Sequence, residues 1–194
     1  MIGSLPDSLI VAGKRYAIRT DFRNFLRIIE AFGDSQLTNE EKVYVFLKRV
    51  YVEFDSIPQR YYEEAYKQAS EFMEWQKSDD KKHNPRLYDW TKDEQLIFPA
   101  VNKVAGMEVR ALPYLHWWTF LGYFQSIDSE SLWGTVLSIR QKRAKGKKLE
   151  KWEREFYNNN RELCSIVKPE LNKSPEDTLQ DIFKSLIEEG ERLP

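Results

Sequence analysis

The chain has 194 residues, of which 41% are hydrophobic, 31% charged and 14% aromatic, the proportions of a folded domain and not of a disordered one. A formal charge of -1 and a pI near 6.2 exclude any global attraction to nucleic acid or an anionic membrane, so such binding would need a local patch. A single cysteine, Cys164, excludes an internal disulfide framework and suits a reducing cytosol.

Met1 to Asp7 carries neither a basic nor an apolar leader region, so no classical export signal is expected. No later apolar run reaches the roughly 20 residues of a membrane helix. Ser8–Val11 and Arg15–Ile18 read as strands joined through Ala12-Gly13-Lys14, with Gly13 supplying the reversal. Thr20 or Asp21 can cap a helix carrying Phe22, Phe25, Leu26, Ile29 and Phe32 and ending at Gly33. Thr38 and Glu41 form a capping-box pattern ahead of Val43, Phe46, Leu47, Val50 and Phe54. Ile57-Pro58 opens a third helix, with Tyr62, Ala65, Tyr66, Ala69, Phe72 and Met73 along one side.

Gln76 to Pro85 is polar and charged and reads as a loop. Thr91 and Glu94 suggest another capping box before Leu96, Ile97, Val101 and Val104, within which Pro99 is expected to kink or shorten the helix. The run Pro113 to Phe124 then places Trp117 and Trp118 side by side. As a helix it puts Leu115, Trp118 and Leu121 on one ridge and Trp117, Phe120 and Phe124 on another. A helix apolar on nearly all sides and too short for a bilayer is expected to be the central post of a soluble domain, with both indoles inside. Ser129 or Ser131 caps the next helix, with Leu132, Trp133, Val136 and Leu137 inward, until Gly146 interrupts it. Leu149, Trp152 and Phe156 give the following helix a thin stripe, which suits an edge helix or one waiting for a partner. Ser174-Pro175-Glu176-Asp177 starts a final amphipathic helix with Leu179, Ile182, Phe183, Leu186 and Ile187. The expected fold is mainly α, an irregular helical bundle with a small N-terminal β-hairpin. Residues 1–167 form the helical domain with its hairpin at 8–19, and 168–194 a hinge plus C-terminal amphipathic helix.

Catalytic chemistry finds little support in the residues. His116 sits among bulky aromatics with no ligand at helical spacing and reads as a packing histidine, while His83 falls in the polar loop. Neither a metal nor a cofactor is expected. Cys164 lacks a glycine-rich elbow or oxyanion turn and reads as a small packing residue. No phosphate-binding glycine loop is present. The one local charge excess is Arg140, Lys142, Arg143, Lys145, Lys147, Lys148 and Lys151, interrupted by Glu150. It is a candidate contact for an acidic partner, and the alternative function is a nucleic-acid-binding or regulatory helical protein using segment 140–151. Leu179, Ile182, Phe183 and Leu186 are a second candidate partner face.

Leu115-His116-Trp117-Trp118-Thr119-Phe120, taken with Val11 to Arg23 near the start and Leu37 to Lys42, resembles the bacteriophage gp-fifteen family of long-tailed phages and prophages. The order of hairpin, Thr-Asp-Phe-Arg helix opening, Leu-Thr-x-Glu-Glu-Lys opening, charged linker, His-Trp-Trp block and basic segment is similar from about Leu9 to Lys148. Thr119, where family members often carry a basic residue, and Pro99 depart from the pattern. The resemblance implies a helical, non-enzymatic tail assembly chaperone in the host bacterial cytoplasm. It implies the tape-measure protein as partner, with the tail-tube subunit and a second copy of the chain as further candidates. The motif residues His116, Trp117 and Trp118 are read as structural, and no catalytic residue is carried over.

Overall fold

Two four-residue strands, β1 (Ser8–Val11) and β2 (Lys14–Ala17), pair antiparallel with Val11 opposite Lys14 and Ser8 opposite Ala17. In the computed structural model, which describes residues 3–75 and 87–165, the reversal takes only Ala12 and Gly13, at φ 49° and 76°. Two consecutive positive φ values make the mirror-image turn whose twist matches the strands. Lys14, expected in the turn, is therefore the first residue of β2. The left-handed conformation costs an alanine about 1–2 kcal/mol, and the Ala12 N–H is anchored by donating to Glu64 Oε1 at 2.9 Å.

Asp21 caps α1 (Phe22–Gly33) by accepting the Arg23 N–H. The helix buries Phe22, Phe25 and Ile28, whereas Phe32 at its end is exposed. Both halves of the expected capping box are formed at α2 (Asn39–Val50): Thr38 Oγ1 accepts the Glu41 N–H at 3.2 Å and the Thr38 N–H donates to Glu41 Oε2 at 2.8 Å. Phe54 is buried but lies beyond this helix, on a 3-10 turn. The Arg19 guanidinium donates to the carbonyl of Lys48, in the last turn of α2, and to those of Tyr51 and Val52 just beyond it. Pro58 starts a separate 3-10 turn, so the third helix, α3 (Tyr62–Glu74), opens four residues later than its proline suggested. These elements and Tyr114–Trp118 make one unit, in which α1 packs on α2, α2 on α3, and α3 on β1.

The second unit comprises residues 87–113 and 119–165. Its first helix, α4 (Glu94–Ala105), runs through Pro99 without ending and closes at Gly106, φ 70°. The expected Thr91–Glu94 capping box does not form. Asp89 Oδ1 instead accepts the N–H groups of Thr91 and Lys92, which delays the helix until Glu94 is its first residue. Helix α5 (Trp117–Gln125) contributes its first two residues to the first unit and the remainder to the second. It starts at Trp117, not near Pro113, and only Trp117 and Phe120 are fully buried, so the expected fully wrapped post is not what forms. Ser131 caps α6 (Leu132–Ala144) by accepting the Gly134 N–H at 3.0 Å. Leu132, expected inward, is on the outside. The last described helix is α7 (Lys151–Asn159). α4 packs on α6, and Val136, Ile139 and Cys164 form a buried cluster flanked by Leu96, Leu149, Phe156, Tyr157 and Leu163. Tyr88, Trp90, Phe124 and Trp133 add an aromatic group with ring centroids 4.8–6.4 Å apart.

The loop at 76–85 with His83, the hinge from 168, and the helix carrying Leu179, Ile182, Phe183, Leu186 and Ile187 lie outside the described residues. Among the described residues no helix is long and apolar enough to cross a membrane.

Candidate interaction surface

The His-Trp-Trp block is held by hydrogen bonds to backbone groups of other segments of the first unit. Leu115 to Trp117 runs as a short extended segment against Thr20 to Phe22: the Phe22 N–H donates to the Leu115 carbonyl at 2.9 Å and the Trp117 N–H to the Thr20 carbonyl at 2.7 Å. Asp21 completes the junction by accepting the Leu115 N–H. The extended pairing is why the helix cannot begin before Trp117. His116 is buried and fully engaged, with Nδ1 accepting the Trp118 N–H at 3.1 Å and Nε2 3.0 Å from the Pro6 carbonyl. Such an arrangement requires the tautomer with hydrogen on Nε2, and it makes the imidazole an N-cap.

The neighbouring indoles close a different helix. Trp117 Nε1 donates to the Met73 carbonyl and Trp118 Nε1 to the Phe72 carbonyl, both at 2.8 Å. These acceptors belong to the last turn of α3, whose final carbonyls have no partner within the helix. Trp117 is buried against Phe25, with centroids 5.1 Å apart, while Trp118 stacks on Phe72 at 5.2 Å and is only half-buried. The expectation that both indoles lie inside is corrected for Trp118: reaching the end of α3 leaves its outer face uncovered.

The basic segment separates into two populations. Arg140 does not belong to any surface patch: it is 4% exposed and donates to both Asp93 oxygens at 2.7 and 2.8 Å, and to the carbonyls of Leu87 and Leu163. Lys142 Nζ reaches both oxygens of the buried Glu153 at 2.7 and 2.8 Å. Burial alone would raise the Glu153 carboxyl, but the Lys142 ammonium and the Glu150 N–H outweigh it and hold the group below its ordinary range. Arg143 lies over the Tyr157 ring, 4.3 Å from its centroid. Lys145, Lys147, Lys148 and Lys151 remain exposed. They flank a fixed corner, because Gly146 (φ 65°) lets the Lys147 N–H return to the Lys142 carbonyl and the Gly146 N–H to that of Arg143, the glycine-closed helix end of the Schellman type.

Trp152 follows this corner on the first turn of α7 and is 57% exposed. Of the thin stripe, Leu149 and Phe156 pack against the buried cluster while Trp152 stays outside, as on a helix with a face still open to a partner. The inward position is taken by Glu153, which with Glu150 forms a reciprocal cap at the helix start and draws Lys142 inward. A glutamate pair three apart at 150 and 153 was the signal that could have revealed it.

Burial pushes the Cys164 thiol up, away from the thiolate that nucleophilic chemistry requires. Among the described residues no group of three or more His, Cys, Asp or Glu is placed to hold a metal ion.

Residues 1–166 match the family model described as Bacteriophage Gp15 protein. The chain belongs to the bacteriophage Gp15 family. No curated protein and no solved structure gives a match. The Gp15 match takes in the hairpin, the His-Trp-Trp junction and the lysine corner with Trp152, so every feature described above lies within the family's span.

Proposed function

We propose that this Gp15-family chain is a tail assembly chaperone, a non-enzymatic phage protein that binds the tape-measure protein in the host bacterial cytoplasm during tail morphogenesis. Family membership carries the reading. The physics supports it: a tape-measure chain presents long apolar helical stripes before the tube forms, and such stripes stay soluble when another helical protein covers them. α6 and α7 supply groups suited to that work, since Leu132 and Trp152 are exposed at their first turns. The nucleic-acid alternative is weakened because Arg140 and Lys142 are spent on Asp93 and Glu153.

Co-expression is the direct test. Fragments of the tape-measure protein of the same phage or prophage are expected to move from the insoluble to the soluble fraction when the chain is present, and to co-purify with it. Fragments that stay aggregated at equal expression would end the chaperone reading.

A further inference from the structure

We propose that the α6–α7 corner is the docking surface, and that it takes an acidic segment of the partner carrying a large apolar side chain. The inference deepens the chaperone reading and rests on it for the partner's identity. Trp152 is the most exposed large hydrophobic side chain among the described residues, at 57%. Around it in sequence are Lys145, Lys147, Lys148 and Lys151, all exposed and without a carboxylate among the described residues. Their backbone is held by the glycine-closed end of α6 and by the reciprocal glutamate cap of α7, so the cations need no ordering of the main chain on binding. An exposed indole that follows a run of exposed lysines in the chain is matched by an apolar anchor with carboxylates nearby in its own sequence.

The same residues favour a protein over a nucleic acid. Arg140, the side chain best suited to bidentate phosphate contact, is buried on Asp93. Exposed Glu150 and Glu155 lie two residues before and three after Trp152 in the chain, so the corner is not uniformly cationic, and a uniformly anionic phosphate backbone matches it less well than a peptide of mixed charge.

Overlapping 20-residue peptides tiling the tape-measure protein are probed with the full chain, beside a single-stranded oligonucleotide of mixed sequence. The peptides bound are expected to be net acidic with Trp, Phe or Leu. Trp152→Ala and the pair Lys148→Glu with Lys151→Glu should each weaken binding at least about tenfold, with an unchanged melting profile. A peptide with its carboxylates replaced by lysines should bind the charge-reversed pair better than it binds the native chain. Bound peptides that are neutral or basic, variants that bind like the native chain, or an empty array overturn the inference. Oligonucleotide binding lost in the same variants also overturns it and reassigns the corner. The chaperone reading survives all of these outcomes if co-expression still solubilises the fragments, and falls only if that fails.

Discussion

Replacing Arg140 with methionine removes the guanidinium that joins three chain segments. It costs the two bonds to Asp93 and those to the carbonyls of Leu87 and Leu163, and it leaves Asp93, itself buried, with the Asp89 N–H as its remaining strong donor. Breaking one partner out of a buried pair costs about 3–5 kcal/mol, because the other charge stays desolvated. With a urea slope of about 2 kcal/mol/M, the midpoint should fall by roughly 2 M. Far-UV circular dichroism and tryptophan emission can both follow it, the latter because Arg140 lies 5.9 Å from the Trp133 ring centroid. Arg140→Met combined with Asp93→Asn should recover about 2 kcal/mol relative to the sum of the single variants, as coupled neighbours do. A loss below about 1 kcal/mol for Arg140→Met, or strict additivity in the double variant, would refute the view of Arg140 as a buried clamp.

Gly134→Ala should destabilise α6 by about 1–3 kcal/mol, since an added Cβ would stand 2.5 Å from the Asp128 carbonyl oxygen and 2.6 Å from that of Ser129; a thermal melt equal to the native one would contradict the crowding. His116→Ala should cost about 2 kcal/mol, while His116→Asn, which can still cap Trp118, should cost about half of that; equal melting temperatures for the two would remove the cap argument. The depressed Glu153 carboxyl contributes stability that is present above its unfolded value near 4.5 and is lost as pH falls through the folded one. Glu153→Gln should therefore flatten the decline in stability below pH 4.5, and an unaltered slope in urea titrations across that range would show that the Lys142 contact carries no linkage.

Local signals in the sequence were legible where one or two neighbouring residues decide the structure. The Thr38–Glu41 box, the Ser131 cap, the glycine closing α6 and the hairpin all follow from turn and cap chemistry. Long-range pairing decided the rest. Nothing near Thr91 announces that Asp89 will take its N–H, and nothing near Pro113 announces that Leu115 to Trp117 will be held extended by Thr20 and Phe22, far away in the chain. The basic run was misread for the same reason. Its local composition is uniform, yet Asp93 and Glu153, from other helices, select which of its members go inside. Trp152 shows how little a thin stripe fixes: with few apolar positions on α7, Leu149 and Phe156 pack inward, but the contact of Lys142 with buried Glu153 decides that the carboxylate and not the neighbouring indole goes inside.

The return of Tyr114–Trp118 to the first unit has a consequence for biosynthesis. After α3 has emerged from the ribosome, about forty more residues must emerge before the indoles that close its last turn can reach it, a delay of roughly 2–8 s at typical elongation rates. During that interval the nascent first unit lacks its final pieces, and a stall or premature stop ahead of residue 114 would release a hairpin and three helices with an unfinished seam.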